Sequence, residues 1–147
     1  MYSSIIVIVV KMYKILITII LANCSDFTTE NTGVKTMRVA NKNASQYVNE
    51  LKVFEGSNTF AENKVSFDDE GLYVVYSYGY HFPMYIYDRQ AKTWIGNKGS
   101  YSVSTSRHQS LCRPNAHISG WLDTAEMKEY IRCGSMMRYM ERKARVA

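Results

Sequence analysis

Proline, glycine and cysteine are all scarce in this chain. Two prolines and eight glycines among 147 residues exclude a collagen-like protein and a low-complexity chain. The three cysteines, Cys24, Cys112 and Cys133, are odd in number and widely spaced, so they cannot form a closed disulfide framework. This cysteine usage favours a reduced, cytosolic compartment.

Metal-binding motifs are also missing. His108 and Cys112 share a helical face, and with His81 and His117 they supply ligand types that zinc accepts. The chain has no CxxC or HxxxH spacing that would bring such ligands together. We therefore predict no metal site and no cofactor.

What the chain does contain is enough apolar and aromatic bulk for one domain. Apolar residues make up 46% and aromatic residues 13%, including twelve tyrosines, which favours a packed core over disorder. The length of 147 residues excludes a multidomain machine. No catalytic motif stands out, so we assign no enzymatic activity from the sequence.

Positive charge is concentrated at the C-terminus. The net charge is +5, and residues 132–147 carry +4 of it, from five basic residues and one acidic residue. Such a segment binds an anionic polymer or surface, or it is simply a solvated helix that keeps the protein soluble. The residues that we predict to contact nucleic acid are Arg138, Arg142, Lys143 and Arg145.

Residues 1–24 form a hydrophobic N-terminal segment with three interpretations. Its two apolar runs, Ile5–Val10 and Ile15–Ala22, are together long enough to cross a membrane, so residues 2–22 could serve as an anchor. Lys11 and Lys14 would then lie near the middle of the bilayer, at a cost of about 2.5–3.5 kcal/mol each.

The second interpretation is a secretory or lipoprotein signal that ends at Cys24. The third is a leader read in frame upstream of a translation start at Met37. A start at Met37 implies the host cytoplasm, whereas a retained anchor implies a membrane. Residues 25–36 are polar and without periodicity, and we predict that they form a linker.

Residues 37–131 are predicted to form a single α+β domain, followed by a basic helix or tail at 132–147. The fold that we expect is an antiparallel meander of about four or five strands, with an N-terminal helix and C-terminal helices on one face. The predicted strands are Asn58–Glu62, Lys64–Asp68, Leu72–Tyr78, Met84–Tyr87 and Thr93–Ile95. The predicted helices are Ala44–Phe54, Ser106–Cys112, one that Asp123 caps and Gly134 ends, and Ser135–Arg145.

Two segments carry a resemblance to other proteins. The Gly-Tyr-His-Phe-Pro sequence at Gly79–Pro83, followed by Thr-Ser-Arg-His at Thr105–His108, resembles a family of small uncharacterised proteins encoded by tailed bacteriophages. The resemblance covers about residues 37–131, and Met37–Ala44 looks like the beginning of such a protein. It implies the context of an infected bacterial cell and no particular reaction.

The segment Ser104–His108, which contains the second of these sequences, is our candidate anion site. Hydroxyls, free amides at a helix N-terminus, a guanidinium and an imidazole lie within five residues, and anions bind to such groups. In the other interpretation these hydroxyls cap a helix, and the two basic side chains tie it to the sheet. The candidate anion-binding residues are Ser104, Thr105, Ser106, Arg107 and His108.

From these patterns we expect a small accessory protein that acts by binding. Its partner would be nucleic acid, or another anionic molecule, held by the candidate anion site and the basic C-terminus. The alternative is a module that binds or inhibits a host protein. A third hypothesis, a phosphodiester enzyme, would use His81 and His108 as its catalytic pair. The sequence does not determine the oligomeric state.

Overall fold

A mixed β-sheet organises the fold. In the computed structural model, which describes residues 36–65 and 71–146, seven strands follow one another across the sheet in chain order. Neighbours from β2 to β6 are antiparallel, while the edge strands β1 and β7 each run parallel to their neighbour. The strands are β1 (Met37–Arg38), β2 (Phe54–Glu55), β3 (Thr59–Lys64), β4 (Leu72–Ser77), β5 (Pro83–Asp88), β6 (Thr93–Asn97) and β7 (Ile118–Leu122).

Helices cover both faces of this sheet. The α-helices of the described residues are α1 (Ala44–Asn49), α2 (Val103–Leu111), α3 (Thr124–Cys133) and α4 (Met136–Val146). Val48 of α1 and Cys112 at the end of α2 pack in one core, and Met127 of α3 and Tyr139 of α4 pack in the other. We call the two sides the α1–α2 face and the α3–α4 face. The class α+β is therefore correct, and the prediction that all helices pack on one face is wrong.

Strand β4 explains why both faces are covered. Its six residues are all buried, and their alternation sends Tyr73 and Val75 to the α1–α2 face, and Leu72, Val74 and Tyr76 to the α3–α4 face. Side-chain alternation along the sequence predicts this division for Leu72 to Tyr76, but it also predicts Tyr78 on the face of Tyr76, whereas the Tyr78 ring contacts His108 of α2. Because neither set is polar, burying only one of them would leave large apolar side chains in water.

The predicted all-antiparallel meander of four or five strands is wrong at both edges. Parallel neighbours need a crossover connection, and here α1 separates β1 from β2 and α2 separates β6 from β7. Strands β1, β2 and β7 are absent from the prediction. Strands β1 and β2 have only two residues each, and Ser119 and Gly120 in the middle of β7 weaken its strand signal.

The predicted ends of α3 are correct, whereas the predicted end of α1 and the predicted start of α2 are wrong. Asp123 and Glu126 form a complete capping box, and Gly134 ends α3 in the left-handed conformation with φ of 78°, as predicted. Helix α1 ends at Asn49 and not near Phe54, and α2 begins at Val103, three residues before its predicted start. Our interpretations of residues 1–35, and most of the predicted strand Lys64–Asp68, lie outside the described residues.

Candidate functional site

Helix α2 holds the candidate anion site and divides it between two faces. Ser102 is the N-cap, and its hydroxyl accepts a hydrogen bond from the Thr105 amide. The Ser106 hydroxyl donates to the Ser102 carbonyl at 3.1 Å. Ser104 and Arg107 are exposed, whereas Thr105 and His108 are buried against the sheet. The structure thus does not gather the five predicted residues on one surface.

His108 joins α2 to the end of β4. Its Nδ1 shares a hydrogen bond of 2.8 Å with the Ser77 hydroxyl, and both residues are buried. The ring of Tyr78, whose φ of 58° is unusual for a non-glycine residue, lies 5.1 Å from the His108 ring between centroids. Burial, and then the charge of Arg107, lower the pKa of His108 below its usual value. The imidazole is therefore uncharged at neutral pH.

The other candidate histidine has different neighbours. His81 is exposed in the β4–β5 turn, and its ring packs edge-on against Tyr101 at 6.4 Å between centroids. His81 and His108, the predicted catalytic pair, thus have different partners: His81 contacts Tyr101, and His108 contacts Ser77 and Tyr78.

The four residues considered as zinc ligands, His81, His108, Cys112 and His117, have different surroundings. Cys112 is fully buried, and burial raises the pKa of its thiol to about 12, so the protonated form persists at neutral pH. His117 is exposed. Over residues 36–65 and 71–146, no three His, Cys, Asp or Glu side chains converge as metal ligands would.

The basic C-terminal residues lie on α4, which packs beside α3. Two carboxylates of α3 pair with four cations: Lys98, Arg132, Arg142 and Lys143. The Lys143 ammonium lies 2.8 Å from Glu126, and Arg142 Nε lies 2.6 Å from Glu129. The hydrogen bond from Lys143, followed by that from the Asp123 amide, lowers the pKa of Glu126. We call these six side chains the α3–α4 ion cluster.

The α3–α4 ion cluster keeps a surplus of positive charge, because two carboxylates cannot neutralise four cations. Arg138, Arg142 and Arg145 follow at i, i+4 and i+7, so they lie along one side of α4. The sequence identified the cations of α4, but it did not identify Glu126 and Glu129 as their partners. Only the capping-box pattern singled out Glu126.

Comparisons with protein-family models, curated proteins and solved structures found no match for this chain. Within the described residues, no helix has the length and apolar character needed to cross a membrane.

Proposed function

We propose that this protein is a binding module that holds nucleic acid on the exposed, positively charged side of helices α3 and α4. The observation that carries the proposal is the surplus of cations over carboxylates in the α3–α4 ion cluster. The whole stretch from α3 to α4 has six basic and three acidic residues. Phosphate groups bind to such surfaces and release counterions as they do so.

The ion pairs within the cluster do not prevent this. The cations involved are more than half exposed, and exposed ion pairs contribute only about 0–1 kcal/mol to stability. A phosphate oxygen can therefore replace a carboxylate at little cost. Apolar packing also holds α4 in place, because the buried ring of Tyr139 packs against Tyr130 with 5.1 Å between centroids.

The test compares two double variants of equal charge. Arg142→Gln/Arg145→Gln removes two cations from α4, and Arg107→Gln/Arg113→Gln removes two exposed cations from α2 and the loop after it, on the other side of the sheet. Binding to labelled DNA and RNA oligonucleotides is followed by fluorescence anisotropy between 50 and 200 mM salt, where two lost phosphate contacts reduce the salt slope by about two.

We expect the α4 variant to bind about tenfold more weakly and the α2 variant to bind almost normally. A greater loss of affinity in the α2 variant would instead place the nucleic-acid site at Arg107, which the sequence predicts. Equal losses would mean that only net charge matters, and the proposal would then be wrong.

One observation favours the alternative, a host-protein partner. Met137 and Met140 are each 59% exposed and lie one turn apart on α4. Flexible thioethers adapt to irregular apolar surfaces. Such a complex would survive moderate salt and would weaken in Met140→Gln, whereas nucleic-acid binding would not.

A further inference from the structure

Among the described residues, no helix covers the part of the α3–α4 face next to β2 and β3, and this part borders a cavity. Helices α3 and α4 pack against residues of β4, β5 and β6 on this face, such as Val74, Ile86 and Ile95. Next to β2 and β3 the structure has a cavity of about 580 Å³, within the usual range for small-molecule sites. Its described lining includes Glu55, Glu62 and the ring of Tyr80.

The register of three strands places the polar and aromatic groups of this cavity side by side. Glu55 pairs with Phe60, and Phe60 pairs with Tyr76, so these three side chains share one face of the sheet. Glu62 lies two residues after Phe60 and therefore on the same face. The rings of Phe60 and Tyr76 stack with 5.0 Å between centroids.

Tyr80 completes an aromatic wall. It comes from the β4–β5 turn, and its ring meets those of Phe60 and Tyr76 edge-on, each at 5.2 Å between centroids. Its hydroxyl donates to Glu62 Oε2 at 3.2 Å. The Tyr80 side chain nevertheless remains largely solvent-accessible, because the residue is 62% exposed.

An ammonium group already binds at this wall. The Lys64 Nζ lies 4.9 Å from the centre of the Tyr80 ring and 2.5 Å from Glu62 Oε1. A cation within about 6 Å of an aromatic face is attracted by the ring's quadrupole. The ring and the carboxylate together thus hold a primary ammonium that belongs to the protein itself.

The charge of the cavity indicates the same chemistry. Its described lining contains the two carboxylates of Glu55 and Glu62, and the Lys64 ammonium that pairs with Glu62 from outside this lining neutralises only one of them. A phosphate would be repelled there, and a cation would be attracted. Glu55 and Glu62 are diagonal neighbours across β2 and β3, a relationship that separates residues by about 7–8 Å.

We infer that this cavity binds a small organic ammonium compound, with a preference for a diammonium ion. One ammonium would take the place of Lys64 between Glu62 and the Tyr80 ring, and the second would pair with Glu55. Lys64 then acts as a built-in competitor. Removing it should tighten binding, which distinguishes a ligand site from a surface ion pair.

The experiment uses 1,5-diaminopentane as the probe and 1-aminopentane as its monoammonium control, with binding followed by calorimetry and by NMR shifts of the aromatic rings. We expect Lys64→Met to bind the diamine at least threefold more tightly than the wild type. Tyr80→Leu and Glu62→Gln should each bind it about tenfold more weakly. Glu55→Gln should remove the preference for the diamine over the monoamine.

Lys52→Met is the matched control, because Lys52 also pairs with a nearby glutamate at 2.5 Å, but that glutamate, Glu50, does not line the cavity whereas Glu62 does. Equal effects of Lys52→Met and Lys64→Met would overturn the inference. So would unchanged affinity in Tyr80→Leu, or the absence of ring shifts at millimolar diamine. Binding of adenosine monophosphate in this cavity in place of the diamine would also overturn it.

Discussion

The Tyr130 hydroxyl donates a hydrogen bond of 2.7 Å to Oδ2 of Asp88, a buried carboxylate at the end of β5. The same oxygen accepts the Met136 amide at 2.8 Å, and Oδ1 accepts the Ala91 amide at 2.9 Å. One carboxylate thus connects the sheet, the β5–β6 turn, α3 and the first residue of α4. Burial, and then the bond to Asp88, raise the pKa of Tyr130.

We expect Asp88→Asn to destabilise the protein by about 1.5–3 kcal/mol. The new NH₂ group cannot accept hydrogen bonds, so a buried donor on Tyr130 or Met136 loses its partner. Urea unfolding measures the change. The control is Asp123→Asn, because asparagine caps a helix as well as aspartate does. A loss of similar size in the control would contradict this role of Asp88.

The stability of the protein should fall as the pH drops below about 6.5, the usual pKa of histidine. Because the pKa of His108 is lower in the folded state, the unfolded chain binds this proton first, and protonation favours unfolding. The contribution of a neutral His108 is therefore complete above that pH and decreases below it.

The test is the thermal midpoint measured from pH 7.5 to 5. His108→Asn retains an acceptor near Ser77 but does not titrate, so its midpoint should depend less on pH than that of the wild type. His117→Gln changes an exposed histidine and should leave the wild-type slope unchanged. If His117→Gln flattened the curve instead, the assignment to His108 would be wrong.

Gly96 allows the edge strand β7 to lie close to β6. A Cβ atom at this position would lie 2.6 Å from Cζ3 of Trp121, which pairs with Gly96 across the two strands. We expect Gly96→Ala to displace the indole, to shift the tryptophan fluorescence and to cost about 1–3 kcal/mol of stability.

Gly120→Ala serves as the control for this substitution. Its Cβ would lie 3.5 Å from Ile95, an ordinary contact distance, so we expect a change within about 0.5 kcal/mol. An equal loss in both variants would show that the close approach to Trp121 is unimportant.

Glu129 should restrain the proposed binding of nucleic acid. Its carboxylate pairs with Arg132 and Arg142, so Glu129→Gln frees both guanidinium groups and raises the net charge of the surface by one. We expect about two- to fivefold tighter binding of an oligonucleotide at 50 mM salt, and a smaller gain at higher salt. Glu50→Gln is the control, because it frees Lys52 in the loop before β2 and changes the net charge by the same amount. It should have little effect on binding.

Features that depend on a few consecutive residues could be predicted from the sequence. The Asp123 cap, the stop at Gly134 and the two faces of Leu72–Ser77 follow from local hydrogen bonding and from side-chain alternation. The error at α2 was also local, because any serine between Ser102 and Ser106 has a hydroxyl that can cap a helix.

Features that depend on distant residues could not be predicted. Nothing in the sequence around Glu129 indicates that Arg142 pairs with it, and nothing near Phe60 indicates the contact with Tyr80. The sequence therefore indicated the cations of the candidate site, but not the carboxylates that pair with them. The cavity beside Glu62 was missed completely, because it forms only when three strands and a turn come together.

The sheet order has a consequence for folding kinetics. Since every strand from β1 to β7 pairs with the strand that precedes or follows it in the chain, pairing closes only short or moderate loops, and the entropy lost in each closure is small. Pairing between strands that are neighbours in the chain favours faster folding than pairing between distant strands. The hairpins β3–β4, β4–β5 and β5–β6 can form first. Strand β7 can pair with β6 only after the longer connection that contains α2 has closed.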